Sequence, residues 1–301
     1  MAQSAATPAP QTEDSARWLV PAALLTVYLV WGSTYFAIKL VLESFPPFLM
    51  AGARFIVAGA LLFGISRLRG EPVPTLRQWR AALMVGLLLL VCGNGLVVFA
   101  QRSVASGLAA ILIASVSLWA TLFSGLFGLW PSRRQWAGIA VGLSGLVLLN
   151  LGSDLRGNPL GVGMLLLAAM SWAFGSVLSR RLDLPPGAMA SACEMLCGGA
   201  VMLVLGGVRG ELIPQTATTS AVLAFLYLTL FGSLLAFSAY VLLLKRASAA
   251  VATSYGYVNP VVAVLLGVGF GGEQIGAQTV VALAIILSGV ALVALGPKTS
   301  R

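Results

Sequence analysis

Histidine is absent from the 301-residue chain, and charged residues make up only 9% of it. Without histidine there is no serine–histidine dyad, no histidine general base and no histidine-bearing zinc site; paired intramembrane aspartates are lacking too. A membrane-embedded enzyme therefore has little to work with, and no catalytic residue, metal or cofactor is expected. The three cysteines, Cys92, Cys193 and Cys197, fall inside apolar runs and are too few for a disulfide framework. Cys193 and Cys197 lie one helical turn apart and read as small packing residues. No GxxxxGK[ST] loop is present and no polar stretch is long enough for a nucleotide-binding domain, so ATP is not the energy source within this chain. The first 17 residues, MAQSAATPAPQTEDSAR, have no apolar core of signal-peptide length and read as a flexible cytoplasmic tail ahead of a retained first span.

What is present is apolar sequence: 59% hydrophobic residues and a mean hydropathy of +0.97. A water-soluble fold of this size would have to expose large apolar patches to carry that composition, so the chain reads as an all-α integral membrane protein. Its long segments are apolar on all sides, which excludes the alternating strands of an outer-membrane barrel. Ten candidate spans cover about 18–40, 46–67, 79–101, 105–127, 134–151, 158–180, 187–208, 219–245, 248–270 and 277–296. Each is near the ~20 residues that cross ~30 Å of hydrocarbon.

The net charge of +9 would suggest a nucleic-acid partner in a soluble protein. Here the basic residues stand singly or in pairs at the ends of apolar runs, where they orient the chain against membrane lipid. With a cytoplasmic N-terminus, thirteen of them fall inside, among them Arg67, Arg69, Arg77, Arg80, Arg133 and Arg134, and four outside: Lys39, Arg102, Arg156 and Arg209. This bias places both termini in the cytoplasm. Residues 102–149 also align without a gap on 246–293, matching Arg102 with Arg246, Gly128 with Gly272 and Leu143-Ser144-Gly145 with Leu287-Ser288-Gly289. Five spans per half is an odd number, so the second half enters from the opposite side. The expected architecture is two inverted five-helix repeats, 18–151 and 152–296, followed by a cytoplasmic tail at 297–301.

Four stretches in order, LVWGSTYFAIK, PPFLMAGARFIVAGALL, GNGLVVFAQRSVASGLAAIL and SYGYVNPVVAVLLGVGFGGE, resemble the EamA-type family of the drug/metabolite transporter superfamily. The resemblance covers the chain after residue 17. It implies a ten-helix carrier of the bacterial inner membrane, usually an exporter of small metabolites such as amino acids; separately, glycines four residues apart allow a monomer or a weak homodimer. Many members carry a proline near Ser115-Val116-Ser117 and this sequence does not, which concentrates the polar interruption in the second half.

That interruption is ATSYGYVNPVVAVLLG. Pro260 has no amide hydrogen and leaves the Gly256 carbonyl without its usual partner, so a helix break is expected there, with Tyr255, Tyr257 and Asn259 lining a cavity. Arg54 and Glu194 are the charges well inside spans, each about eight residues beyond a proline pair and so ~12 Å from its membrane face. They are expected to face the interior, where they bind a zwitterion's two charges, carry a proton, or form a structural pair. Trp31, Tyr35, Trp119, Trp172 and Tyr240 are candidates for an aromatic pocket, and Asn94, between Gly93 and Gly95, is a further polar candidate. Lys39 is expected to snorkel to headgroups or guard the outer mouth, and Glu273 to cap a helix and anchor a loop in preference to touching substrate. Gly138 and Gly142 have the spacing of close helix contacts within one bundle. The leading function is a secondary carrier for a small-molecule substrate, by alternating access; the alternative is a non-transporting sensor or assembly protein.

Overall fold

The structure is a computed structural model that describes residues 11–151, 158–213, 215–247 and 254–294. Among them every regular element is helical: α1 Trp18–Val41, α2 Pro47–Leu68, α3 Leu76–Ala100, α4 Ser106–Gly125, α5 Arg133–Leu151, α6 Pro159–Ser179, α7 Gly187–Val208, α8 Thr219–Leu243, α9 Tyr255–Gly271 and α10 Ala277–Ala294. Seven of these, α1–α4 and α6–α8, are long and apolar enough to cross a membrane, and shorter apolar helices span Val258–Gly271 and Ala277–Val293. Outward-facing Leu61, Leu167, Leu223, Leu265 and Phe270 are exposed. Such an exterior suits hydrocarbon and not water.

The helices pair antiparallel, end to end. The largest contact joins α2 to α7 and the next α5 to α10. In the second pair glycines bring backbones together: a side chain at Gly138 would meet the Gly289 carbonyl at 2.8 Å, and Gly289 abuts Gly142. The glycine spacing therefore serves packing within the bundle, as expected. Two main core clusters form, one around Ile111, Leu112, Leu165 and Ile286, the other around Ile38, Phe55, Leu90, Met202 and Phe237.

Several helices start without a capping side chain of their own, and distant carboxylates serve them instead. Pro46 precedes α2, and Glu211, from the turn after α7, accepts from the Phe48 N–H at 3.0 Å and the Leu49 N–H at 2.8 Å. Pro186 precedes α7, and Glu71, from the turn after α2, lies against Gly187. Both glutamates follow the same turn: Gly70 and Gly210 adopt φ of +81° and +69°, and the Glu71 and Glu211 N–H groups reach back to Ser66 and Gly206 carbonyls. A glycine in that left-handed conformation closes a helix and exposes the next residue. Glu273, beyond α9, caps α4 in the same manner, accepting from Ser106 N–H at 2.9 Å, its hydroxyl at 2.6 Å and Gly107 N–H at 3.0 Å.

Two helices depart from expectation. The chain stays helical through Pro260, the sixth residue of α9. Proline so near a helix start removes one hydrogen bond only, and the Gly256 left without that donor is buried against Ser117 and Ala114 of α4. It is α4 that is interrupted, by a turn at Ala114–Ser115 with no proline, where the buried Ser115 hydroxyl donates to the Leu112 carbonyl at 2.7 Å. A serine bonding back to its own turn competes with the helical ladder and bends it. The interruption is thus in the first half, opposite to the sequence expectation.

Candidate functional site

Three helices contain wide, π-helical turns: Val27–Trp31 in α1, Leu87–Gly95 in α3 and Leu228–Leu235 in α8. Such turns are rare and leave carbonyls without their usual donors. Neighbouring helices supply two: the Trp31 indole N–H donates to the Gly232 carbonyl at 3.1 Å, and the Ser171 hydroxyl of α6 to the Leu88 carbonyl at 2.8 Å. In lipid this cross-helix pairing is what makes the irregular backbone tolerable.

These turns converge on an internal cavity bordered by both core clusters. Its wall includes Trp31, Thr34, Tyr35, Arg54, Phe55, Gly93, Asn94, Trp172, Gly232, Phe237, Tyr255 and Asn259. The space open to the centres of water molecules is about 80 Å³, enough for roughly five to eight waters or the core of a small solute. Rings contact one another there: Trp31 to Trp172 edge-on at 5.7 Å, to Tyr240 at 5.0 Å and to Tyr255 at 5.3 Å. Arg54, also in the wall, is buried and donates from Nη2 to Asn94 Oδ1 at 3.1 Å. Asn259, with its amide nitrogen turned to the neighbouring carbonyls, donates to Tyr255 at 3.3 Å and Tyr28 at 3.2 Å.

The family model for the EamA-like transporter family matches residues 18–151 and again 159–295. This chain belongs to the EamA-like transporter family. It is 48% identical over 283 residues to YedA of Escherichia coli K12, named as an uncharacterised inner membrane transporter, covering 93% of this chain and 92% of that one. It is 29% identical over 268 residues to protein PecM of Dickeya dadantii, covering 88% of each. A crystal structure of another protein superposes with a TM-score of 0.68 at 25% identity, covering 91% of this chain and 96% of that one. The protein is accordingly a membrane transporter and not an enzyme.

In this EamA-like chain the cavity gathers Trp31, Tyr35, Arg54, Asn94, Trp172, Tyr255 and Asn259 from the residues singled out in the sequence. Tyr240 stands behind the ring cluster, 1% exposed, with its hydroxyl 3.4 Å from Ser176. Trp119 stacks on Phe123 at 6.4 Å, outside the cavity wall. Glu194 is buried on α7 near Cys193 and Cys197, and it too lies outside that wall. The Tyr257 side chain lies outside the described residues, and Pro260, inside the continuous α9, is not in the cavity wall. Sequence reasoning missed the apolar wall, such as Ile38, Val97 and Ile113, which nothing in composition separates from packing.

Lys39 is bound into the protein instead of reaching for headgroups. Its Nζ donates to the Gly271 carbonyl at 2.6 Å and to Glu273 Oε1 at 3.3 Å, tying the ends of α1, α4 and α9 together. Burial alone would raise the Glu273 carboxyl; hydrogen bonds from the Ser106 hydroxyl and the Gly107 and Ser106 N–H groups, with the Lys39 charge, hold it below its ordinary value.

Proposed function

We propose that the protein is a secondary carrier that exports small organic metabolites, amino acids or related compounds, across the bacterial inner membrane by alternating access. The cavity is its substrate site. The two halves, 18–151 and 152–296, are inverted five-helix repeats, giving ten spans with both termini cytoplasmic, and a monomer or weak homodimer suffices.

The observation that carries this reading is the reciprocal, antiparallel pairing of corresponding helices around one buried cavity. Glu71 lies against the start of α7 while Glu211 caps α2, wide turns recur in α3 and α8, and the two matches to the family model fall one in each half. A two-fold in the membrane plane accounts for all three, and two equivalent halves can exchange shapes so that the cavity opens to either side. The name of YedA, an inner membrane transporter, supports the location. Counterflow in proteoliposomes tests the proposal: vesicles loaded with an unlabelled solute should concentrate the same radiolabelled solute transiently. Failure across amino acids, nucleosides, organic acids and quaternary cations would favour the sensor or assembly role instead.

A further inference from the structure

Among the described residues, Arg54 is the one charged residue in the cavity wall. It is 4% exposed, and no carboxylate lies within salt-bridge distance of it among the described residues. Its neighbours satisfy it incompletely: Asn94 Oδ1 takes one hydrogen from Nη2, its Cζ lies 4.4 Å from the Phe55 ring, and Nε has no acceptor. An arginine keeps its proton in proteins, so it cannot relieve burial by becoming neutral. An amide dipole and a ring face do not supply the negative charge that a desolvated guanidinium needs. Membrane interiors tolerate such a group where water or a ligand reaches it, and here the space that reaches it is the cavity.

We infer that Arg54 is the receptor for an anionic group on the transported solute, a carboxylate on a small organic acid or amino acid whose remaining part lies against Trp31, Trp172 and Tyr255. The inference rests on the carrier reading above and narrows its substrate class. The terminal guanidinium hydrogens that Asn94 leaves free are the donors a carboxylate would meet, Nε being closed off from the cavity. In the same wall, rings at 5–6 Å from one another offer contact to an apolar, aromatic or ammonium-bearing remainder. Since no carboxylate is among the described residues of the wall, acids without an amino group are expected to be accepted as well.

The test compares isosteric pairs in counterflow with the full-length protein: phenylacetate against phenylacetamide, L-phenylalanine against L-phenylalaninamide, with phenethylamine as the cation. Losing a charge-assisted pair inside a dry site corresponds to at least about tenfold, so each acid should exchange at least ten times faster than its amide. Arg54→Gln should abolish that preference and Arg54→Lys keep part of it. The wild-type comparison stands alone if the variants do not fold. Amides or phenethylamine exchanging as fast as the acids, an acid preference untouched in Arg54→Gln, or exchange of other solute classes with none of these acids would each overturn the assignment and leave the carrier reading intact. Absence of exchange for every solute class would overturn both.

Discussion

Side chains that satisfy other helices' backbones, more than those that repeat along a helix, decide this fold at the residue scale. Glu273 holds the start of α4 from beyond α9 because Ala105, at the cap position, has no acceptor to offer. Glu273→Gln keeps the shape and loses the charge, and should destabilise the protein by about 1–2 kcal/mol, read as a lower midpoint in thermal unfolding in detergent. The pH dependence has a defined sign. The folded carboxyl titrates below its ordinary value, so its stabilisation is complete above that ordinary value and disappears as pH falls through the folded one. Wild type should lose more stability than Glu273→Gln on acidification. Trp31→Phe retains a ring but leaves the Gly232 carbonyl without its donor, and about 1–3 kcal/mol should be lost. Conversely, the sequence told little about Glu71 and Glu211. Both read as turn residues, because nothing local to either indicates which remote helix start it will reach.

Elements explain which candidates met and which did not. The apolar runs were legible because hydrocarbon demands long, uniformly apolar helices, and Arg54, Asn94 and Asn259 stood out because a polar group in such a run needs a partner. Facing was less legible. A wide turn inserts a residue and rotates everything beyond it by about 100°, so projecting Tyr240 on a regular helix does not say what it faces, and the turn at Ala114–Ser115 has the same consequence for Trp119. The interruption of α4 was hidden for a related reason: a serine bonding to its own turn did what proline was expected to do, while Pro260 sat early enough in α9 to be absorbed. Pro260→Ala should therefore shift stability by less than about 1 kcal/mol, whereas a broken helix would have straightened. Close glycine contacts give a stronger contrast. Gly289→Leu must push α10 off α5 and should cost 3 kcal/mol or more, so that folded protein fails to accumulate; Gly163→Leu, with open space around it, should accumulate normally by fluorescence-detected size exclusion.

For the whole molecule, the account holds that a cavity walled by rings, amides and one arginine is exposed alternately to the two sides of a membrane as equivalent halves exchange shapes. Glu211 caps α2 and Glu71 lies against the start of α7, linking the two helices at both ends, and Lys39 with Glu273 closes the ends of α1, α4 and α9 on one another. On the proposed mechanism, opening that end of the bundle requires parting those contacts. The most direct measurement of this claim places a single cysteine at Thr34 in the cavity wall, in a chain whose Cys92, Cys193 and Cys197 have been replaced. Thiol labelling is then followed with a membrane-impermeant reagent in right-side-out and inside-out vesicles. Labelling from both sides, slowed in both by a transported solute, is the predicted result. Labelling from one side only, or from neither, would contradict the account.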